Sequence, residues 1–312
     1  MKEHVFASFV IHTCNEAEYI ANTIRHSDKL LEDSFDGHEI IIVNNCSNDN
    51  TKEIIEQIKE YIHGNLILID LAWKHSVESA LFAGLDLAVG DFVFETESAK
   101  FIFPDDIFVN MYKKASKENL HLVSAISGLK PSLSSRLFYR FINKVSYISM
   151  DVKHDEMRLI SRTALNKTLA LKHKVRFRKI LYAYSAVNTG EIYFKPRSNK
   201  RLKDSRGMLE KLNIGSDILI SFSHIGMQLS LLLSIIFFFL FLLLILYSLY
   251  SYFILKDVVE GWTTLMIIIS SGFSGVFLLI ALLSKYLGII LLETRDQQIY
   301  TIKDIKRYEK NR

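Results

Sequence analysis

The chain has 312 residues, enough for one good-sized domain and an appendage. Its net charge of +4 is small and comes largely from basic residues beside two apolar runs, which suits an anionic membrane leaflet and gives no case for nucleic acid. Two cysteines, Cys14 and Cys46, are too few for a disulfide scaffold and, in a domain read as cytosolic, are expected as free thiols.

Taken in chain order, His4–His12 reads as a buried strand, and Asn15–Leu31 carries a helical pattern after a polar turn. Glu39–Val43 is a second buried strand, Asn44–Asn50 a polar loop and Thr51–Tyr61 a helix. Asn65–Asp70 is a third strand, Ser76–Ala88 a helix and Asp91–Glu95 a fourth strand. Alternating apolar strands and amphipathic helices predict an α/β fold: a mostly parallel, Rossmann-like sheet covered by helices. Ligands bind such sheets beyond the carboxyl ends of the strands. The polar loops at His12–Glu16, Asn44–Asp49 and Glu97–Lys100 fall there.

Between Lys130 and Lys200 the arginines Arg136, Arg140, Arg158, Arg162, Arg176 and Arg178 are scattered, and a solvated face is the expectation for most of them. His26, His63, His75 and His121 form no ligand pattern and read as surface or capping residues. Cys14, Cys46 and His12 end neighbouring strands, but without a regular ligand spacing their convergence reads as coincidence rather than a metal site.

Residues 201–228 mix basic and apolar side chains, as a helix lying in the membrane interface does. Two uncharged apolar runs follow, read as transmembrane helices over 229–255 and 262–284. Each is long enough for the roughly 20 residues that a span needs. Only a short hairpin separates them, with Trp262 at its edge. Lys200, Arg201, Lys203, Arg206 and Lys211 precede the first run; Lys285, Arg295, Lys303, Lys306, Arg307, Lys310 and Arg312 follow the second. The positive-inside rule then places both termini, and a basic tail over 285–312, in the cytosol. Intramembrane polar residues are almost absent, which argues against a channel or transporter subunit. Gly272 and Gly275 offer a close-approach face for a homo-oligomer.

The order of these pieces resembles family-2 glycosyltransferases of the GT-A fold, and more narrowly the membrane-anchored polyprenyl-phosphate glycosyltransferases related to dolichol-phosphate mannose synthase. Val10–Ile20 (VIHTCNEAEYI) is similar to that family's opening strand end. Glu39–Thr51 (EIIIVNNCSNDNT) is similar to its Asp-Asp-Gly-Ser-x-Asp segment. Ala80–Asp91, running on to Pro104-Asp105, is similar to the stretch leading to the metal motif. Ser134–Ser146, Arg158–Arg162, Gly261-Trp262 and Lys285–Gly288 complete the likeness, which spans residues 1–200 as the catalytic domain and the two spans behind it.

The resemblance implies transfer of a sugar from a nucleotide-sugar donor to polyprenyl phosphate at the cytosolic leaflet, for cell-surface glycan. It implies Mg²⁺ or Mn²⁺ held by Asp-x-Asp, whose positions fall here on Glu97, Ser98 and Ala99, so that Glu97 is the one candidate metal ligand. His12, Cys14, Glu16, Asn44 and Lys100 fall at donor-binding positions, although Asn44 and Asn45 replace two acids. Glu156 falls at the catalytic-base position, and Arg140 and Arg158 at positions that engage acceptor phosphate. Because the departures cluster on the donor side, a catalytically impaired relative that binds lipid or a partner is the competing expectation.

Overall fold

The computed structural model describes residues 2–128, 155–171, 178–185, 188–197, isolated positions between 232 and 247, 261–294 and 299–308. In chain order these form β1 (Glu3–Thr13), α1 (Ala17–Ser34), β2 (Phe35–Asn44), α2 (Thr51–Ile58), β3 (Asn65–Leu71), α3 (Val77–Leu87), β4 (Phe92–Thr96), α4 (Ile107–Glu118) and β5 (Leu122–Ser127). Then come β6 (Met157–Ser161), α5 (Arg162–Ala170), α6 (Arg178–Tyr184), β7 (Thr189–Phe194), α7 (Trp262–Thr294) and β8 (Ile302–Tyr308).

The strands make one eight-stranded sheet in the order β7-β5-β6-β4-β1-β2-β3-β8. Strands β4, β1, β2 and β3 run parallel, while β6 is antiparallel to β4 and β5, and β8 is antiparallel to β3. The expected mostly parallel α/β sheet is therefore present. Chain order reverses between β1 and β4, so the loops after these strands lie side by side, the usual place for a ligand crevice.

Strands this apolar need cover on both faces. On one face Phe9, Ile11, Ile40, Ile42 and Phe94 pack with Ile20 and Ile24 of α1, Ile55 of α2 and Phe108 of α4. On the other, Val10, Ile41 and Val43 meet Gly84 of α3 so closely that an added Cβ would lie 2.4 Å from Val10 Cγ1 and 2.9 Å from Val43 Cγ2. At the amino-terminal edge, Asp28 of α1 accepts hydrogen bonds from His38 of β2 and from the backbone N–H groups of His63 and Gly64 just before β3. Burial is the largest influence on Asp28 and raises its pKa, but these donors outweigh it and hold the carboxyl at about 2.

The chain divides into two compact units. The first carries the sheet, including residues 299–308. The second carries α7. Among the described residues one helix is long and apolar enough to cross a membrane, with its candidate span at Ser271–Ile290. Large apolar side chains such as Phe273, Leu283, Leu287 and Ile290 stand exposed on it. Of the first expected span, 229–255, only isolated helical positions are described, and the interfacial segment 201–228 lies outside the described residues. The helix runs ten residues past the expected boundary at 284, through Lys285 to Thr294. Gly275 packs against Phe237 of the same chain, where a Cβ would come within 2.7 Å of the ring, so its small size already serves an intrachain contact.

The expected basic tail also contains structure: residues 302–308 form the edge strand β8. Its alternation is weak, which hid it from hydropathy, and its register is set by β3 from Leu66↔Tyr308 to Leu71↔Ile302. Lys306 answers Glu56 of α2 at 2.7 Å.

Replacing Gly84 by Ala tests the close packing of α3. Alanine favours helix by about 1 kcal/mol, yet overpacking costs about 1–3 kcal/mol. A thermal midpoint for Gly84→Ala that is not raised, and is lowered where overpacking exceeds the helix gain, is expected; a higher one would refute the contact.

Candidate functional site

Three loops converge at the carboxyl ends of β1, β2 and β4. His12, near the end of β1, is buried; its Nδ1 lies 3.0 Å from the Glu97 carbonyl oxygen and its Nε2 lies 3.1 Å from Asn45 Nδ2. An amide nitrogen only donates and a carbonyl oxygen only accepts. His12 is thus the neutral tautomer protonated at Nδ1. Burial is the main reason its pKa falls to about 4. Asn45 continues the chain of bonds: its Nδ2 donates to the His75 carbonyl at 2.9 Å, and its Oδ1 accepts from the His75 N–H at 2.8 Å. His75 Nε2 accepts the Thr301 N–H at 3.1 Å, and Thr301 O accepts the Ala72 N–H at 2.9 Å. One row of hydrogen bonds therefore crosses the ends of β4, β1, β2, β3 and the start of β8.

Glu16 ties the two switch-point loops. Its carboxylate accepts from Ser98 Oγ and, at 2.7 Å, from the Ala99 N–H. Burial raises its pKa, against the opposing effect of these bonds. Asp49 accepts from the Ala17 N–H at 3.1 Å and from Thr51, serving the amino ends of α1 and α2 together. Two non-glycine residues here, Asn15 (φ 56°) and Cys46 (φ 54°), are left-handed. Such backbone is uncommon outside glycine and concentrates at binding sites. Cys14 and Cys46 are free thiols, both with pKa raised by burial. Lys100 lies over the Tyr19 ring with Nζ 5.5 Å from its centroid.

Asn44 is buried and occupied: Nδ2 donates to Asp70 Oδ1 at 2.9 Å and Oδ1 accepts from the Ser47 N–H at 3.3 Å. Lys52 balances the other Asp70 oxygen. Asparagine here works as a brace between β2 and β3.

Behind this row lies a buried charge cluster. Glu95 of β4 binds two guanidinium groups, Arg158 Nη1 on Oε1 at 2.7 Å and Arg178 Nη1 on Oε2 at 2.6 Å. Glu95 and Arg158 are direct partners across the β4/β6 register. Arg158 also holds Asp155 with its Nε and Nη2, and Lys179 Nζ reaches Asp155 at 2.6 Å. Arg178 Nε meets Glu78 at 2.9 Å and its Nη2 meets Glu97 at 3.0 Å. Although burial would raise the Asp155 pKa, Arg158 and Lys179 hold it well below the usual carboxylate range. Burial likewise lowers both arginine pKa values, but the surrounding carboxylates overcome it and raise them.

These placements correct the expectation of solvated arginines. Arg158 and Arg178 are buried, and Arg162 is partly buried with two donors on the Gly90 carbonyl. Apart from Asp155, three residues before Arg158, their partners stand roughly sixty to a hundred positions upstream, where no local pattern announces them. Arg136, Arg140 and Arg176 lie outside the described residues. Arg158, expected to face acceptor phosphate, is committed to Asp155 and Glu95. Glu156, next in the chain to Asp155, is half-buried; its carboxylate accepts from the Ser127 N–H at 2.8 Å and from Ser127 Oγ. The sequence reading missed Asp155, Lys179 and Arg178 as cluster members, and His75 as a link.

A divalent ion of the Asp-x-Asp kind does not fit these side chains. Glu97 faces Arg178, and Ala99, in the second ligand position, is buried and offers no donor atom. Among the described residues, ligand atoms close enough for a metal occur at Asp28, Glu32 and His63, within 4.8 Å of one another. His63 is thus more than the plain surface or capping residue expected. That group sits at the amino-terminal edge, away from the converging loops, and both Asp28 oxygens already accept hydrogen bonds.

A family model described as Glycosyl transferase family 2 matches residues 8–169. The chain is 24% identical over 311 residues to the uncharacterized glycosyltransferase YkcC of Bacillus subtilis, covering 97% of this chain and 95% of that one. It is 22% identical to a prophage bactoprenol glucosyl transferase homolog of Escherichia coli, covering 96% of this chain and 99% of the other. Among solved structures, the mannosyltransferase PcManGT of Pyrobaculum calidifontis, in complex with GDP-Man and Mn²⁺, aligns over 70% of this chain and 71% of its own with a TM-score of 0.47 and 16% identity.

Two variants probe the site physically. Glu95→Leu leaves two buried guanidinium groups without their shared carboxylate and is expected to destabilise the domain by about 3–5 kcal/mol in denaturant unfolding. His12 has a folded pKa below its unfolded value, so the unfolded chain binds the extra proton and stability falls as pH drops from about 6.5 to 4. The full loss is about 3 kcal/mol, taking 1.36 kcal/mol per unit. His12→Gln is expected to flatten that part of the stability profile; an unchanged slope would refute the buried neutral tautomer.

Proposed function

We propose, for a chain that belongs to glycosyl transferase family 2, that it moves a sugar from a nucleotide-sugar donor to a polyprenyl phosphate at the cytosolic face of a membrane. The observation that carries this reading is the end-to-end match, apolar helix included, to a relative named as a bactoprenol glucosyl transferase homolog. The geometry supports it. The loops after β1 and β4 meet at the switch point of a parallel sheet, where a nucleotide fits. The domain is followed in sequence by a helix of membrane-spanning length.

In this reading the donor lies across the ends of β1, β2 and β4, beside His12, Cys14, Glu16 and Lys100. Departure of a nucleoside diphosphate needs positive charge near its phosphates. Because the side chains do not make a two-carboxylate metal centre, no step is routed through a metal, and Lys100 is the charge at the β4 loop. Glu156, whose carboxylate is held by Ser127, orients the acceptor or takes its proton, and Arg140 belongs to the acceptor side. In this reading both termini are cytosolic, which the basic residues flanking the apolar runs support.

One observation favours a second reading, a lipid- or partner-binding relative that has lost transfer: Arg158 and Arg178 are both neutralised within the fold.

Detergent-purified protein given nucleotide sugars and a polyprenyl phosphate is expected to form a lipid-linked sugar, and Glu156→Gln is expected to lower turnover at least a hundredfold, the scale of a lost acid–base group. Normal turnover in that variant removes Glu156 from the mechanism. Calorimetry with UDP and GDP, in Mn²⁺ and then EDTA, separates the readings: binding indifferent to EDTA agrees with the side chains present. Binding abolished by EDTA overturns the metal-free donor site. Absence of binding favours the second reading.

A further inference from the structure

The loop from Ala72 to Ser76, between β3 and α3, enters the site as derived so far through His75 and the Ala72 N–H, and its Trp73 and Lys74 side chains have no part in it. It carries Trp73, Lys74 and His75. Trp73 is 57% exposed, at the carboxyl end of the strand next outward from Asn44 and Asn45. Its ring centroid lies 5.5 Å from that of His75, with 35° between the planes.

An exposed indole on a surface loop ordinarily has many rotamers and a mobile backbone beneath it. Here the backbone is fixed from two sides. His75 exchanges two hydrogen bonds with the Asn45 side chain, and residue 301 takes one bond from Ala72 and gives one to the His75 ring. Burial lowers the His75 pKa, so its imidazole is neutral at pH 7 and free to accept at Nε2. Four bonds thus hold a loop whose main exposed product is an aromatic face. Preorganisation of this kind reduces the entropy that a ligand must overcome. Lys74 is exposed, between Trp73 and the His75 that is bonded to Asn45.

We propose that Trp73 is the stacking platform for the nucleobase of the donor, and that Lys74 meets the diphosphate that follows it. The assignment rests on the donor chemistry proposed above. Every nucleobase has a π-face, so an indole accepts it without reading its edge, and the neighbouring ammonium supplies the charge that a diphosphate requires. The polar side chains at the adjoining strand ends, Asn44 of β2 and Asp70 of β3, are tied to each other and to Lys52. Recognition at this end therefore leans on stacking and charge more than on base-edge hydrogen bonds. Thr301 and His75 are positioning residues: they act through the loop.

The chain has two tryptophans, Trp73 and Trp262. Full-length Trp262→Phe protein in detergent leaves Trp73 as the single indole reporter. Titration with UDP and GDP, followed by fluorescence and by calorimetry in parallel, is expected to quench Trp73 with the same Kd that calorimetry gives. Trp73→Ala is expected to weaken binding roughly tenfold or more, with Trp73→Phe restoring most of it and all variants keeping the parent thermal midpoint. Calorimetric binding with unquenched Trp73 and unchanged affinity in Trp73→Ala overturns the platform while leaving the donor reading intact. If the parent protein binds neither nucleotide, the donor reading falls and the platform falls with it. His75→Ala that loosens nucleotide binding, with His75→Gln rescuing it, supports the bracing role; equal affinity in both overturns that role.

Discussion

A carboxylate in the middle of a buried strand has to be met by positive charge before a sheet can close over it. Glu95 sets that condition here. It stands on β4, one of the inner strands, and is answered by guanidinium groups from β6 and α6. The cost of removing such ions from water is several kcal/mol each, offset only by close geometry and complete hydrogen bonding. Both arginines reach further carboxylates with their remaining donors, so Glu78, Asp155 and Glu97 are fixed in turn. The outer half of the sheet, α3 and the β4 loop are thereby held to one another by charge rather than by apolar contact alone.

That cluster has a functional corollary. A metal-centred transferase keeps carboxylates facing outward for an ion. In this chain Glu97, at the loop where that motif was expected, turns toward Arg178, and Ala99, two residues on, is a buried methyl group. The row in front of it runs through neutral groups, His12, Asn45 and the backbone of residues 75 and 97, while the Glu16 carboxylate is taken up by Ser98 and the Ala99 N–H. Replacement of acids by Asn44 and Asn45 agrees with this, since amides both donate and accept and so link strands without adding negative charge that a cation would have to balance.

The central sheet was legible because its strands are continuous apolar runs separated by helical periodicity: β1 to β4 and their helices fall within a few residues of expectation. The converging loops at His12–Glu16, Asn44–Asp49 and Glu97–Lys100 were legible for the same reason, since strand ends follow from strands. The buried arginines were not, because Glu95, Glu78 and Glu97, which meet them, are distant in sequence, and the one near partner, Asp155 three residues before Arg158, reads as part of a charged loop. Strand β8 was hidden by its composition: Ile302–Tyr308 holds four basic or acidic side chains in seven residues, as an edge strand tolerates, and hydropathy sees only a charged tail. His75 and Trp73 were overlooked since a loop histidine and a loop tryptophan acquire meaning only from what fixes them.

The position of β8 in the chain imposes an order on biosynthesis. Residues 299–308 leave the ribosome only after the apolar helix Trp262–Thr294 has been made. Until then β3 has an open edge and the Ala72–Ser76 loop lacks its bonds to Thr301. The sheet can be largely folded while the last piece of its binding face is still in the exit tunnel, and that piece docks once the hydrophobic segment has found its own surroundings. Completion of this edge is thus timed by translation to follow synthesis of the apolar helix, so that a nascent chain not yet past residue 298 holds a folded sheet with an unbraced loop.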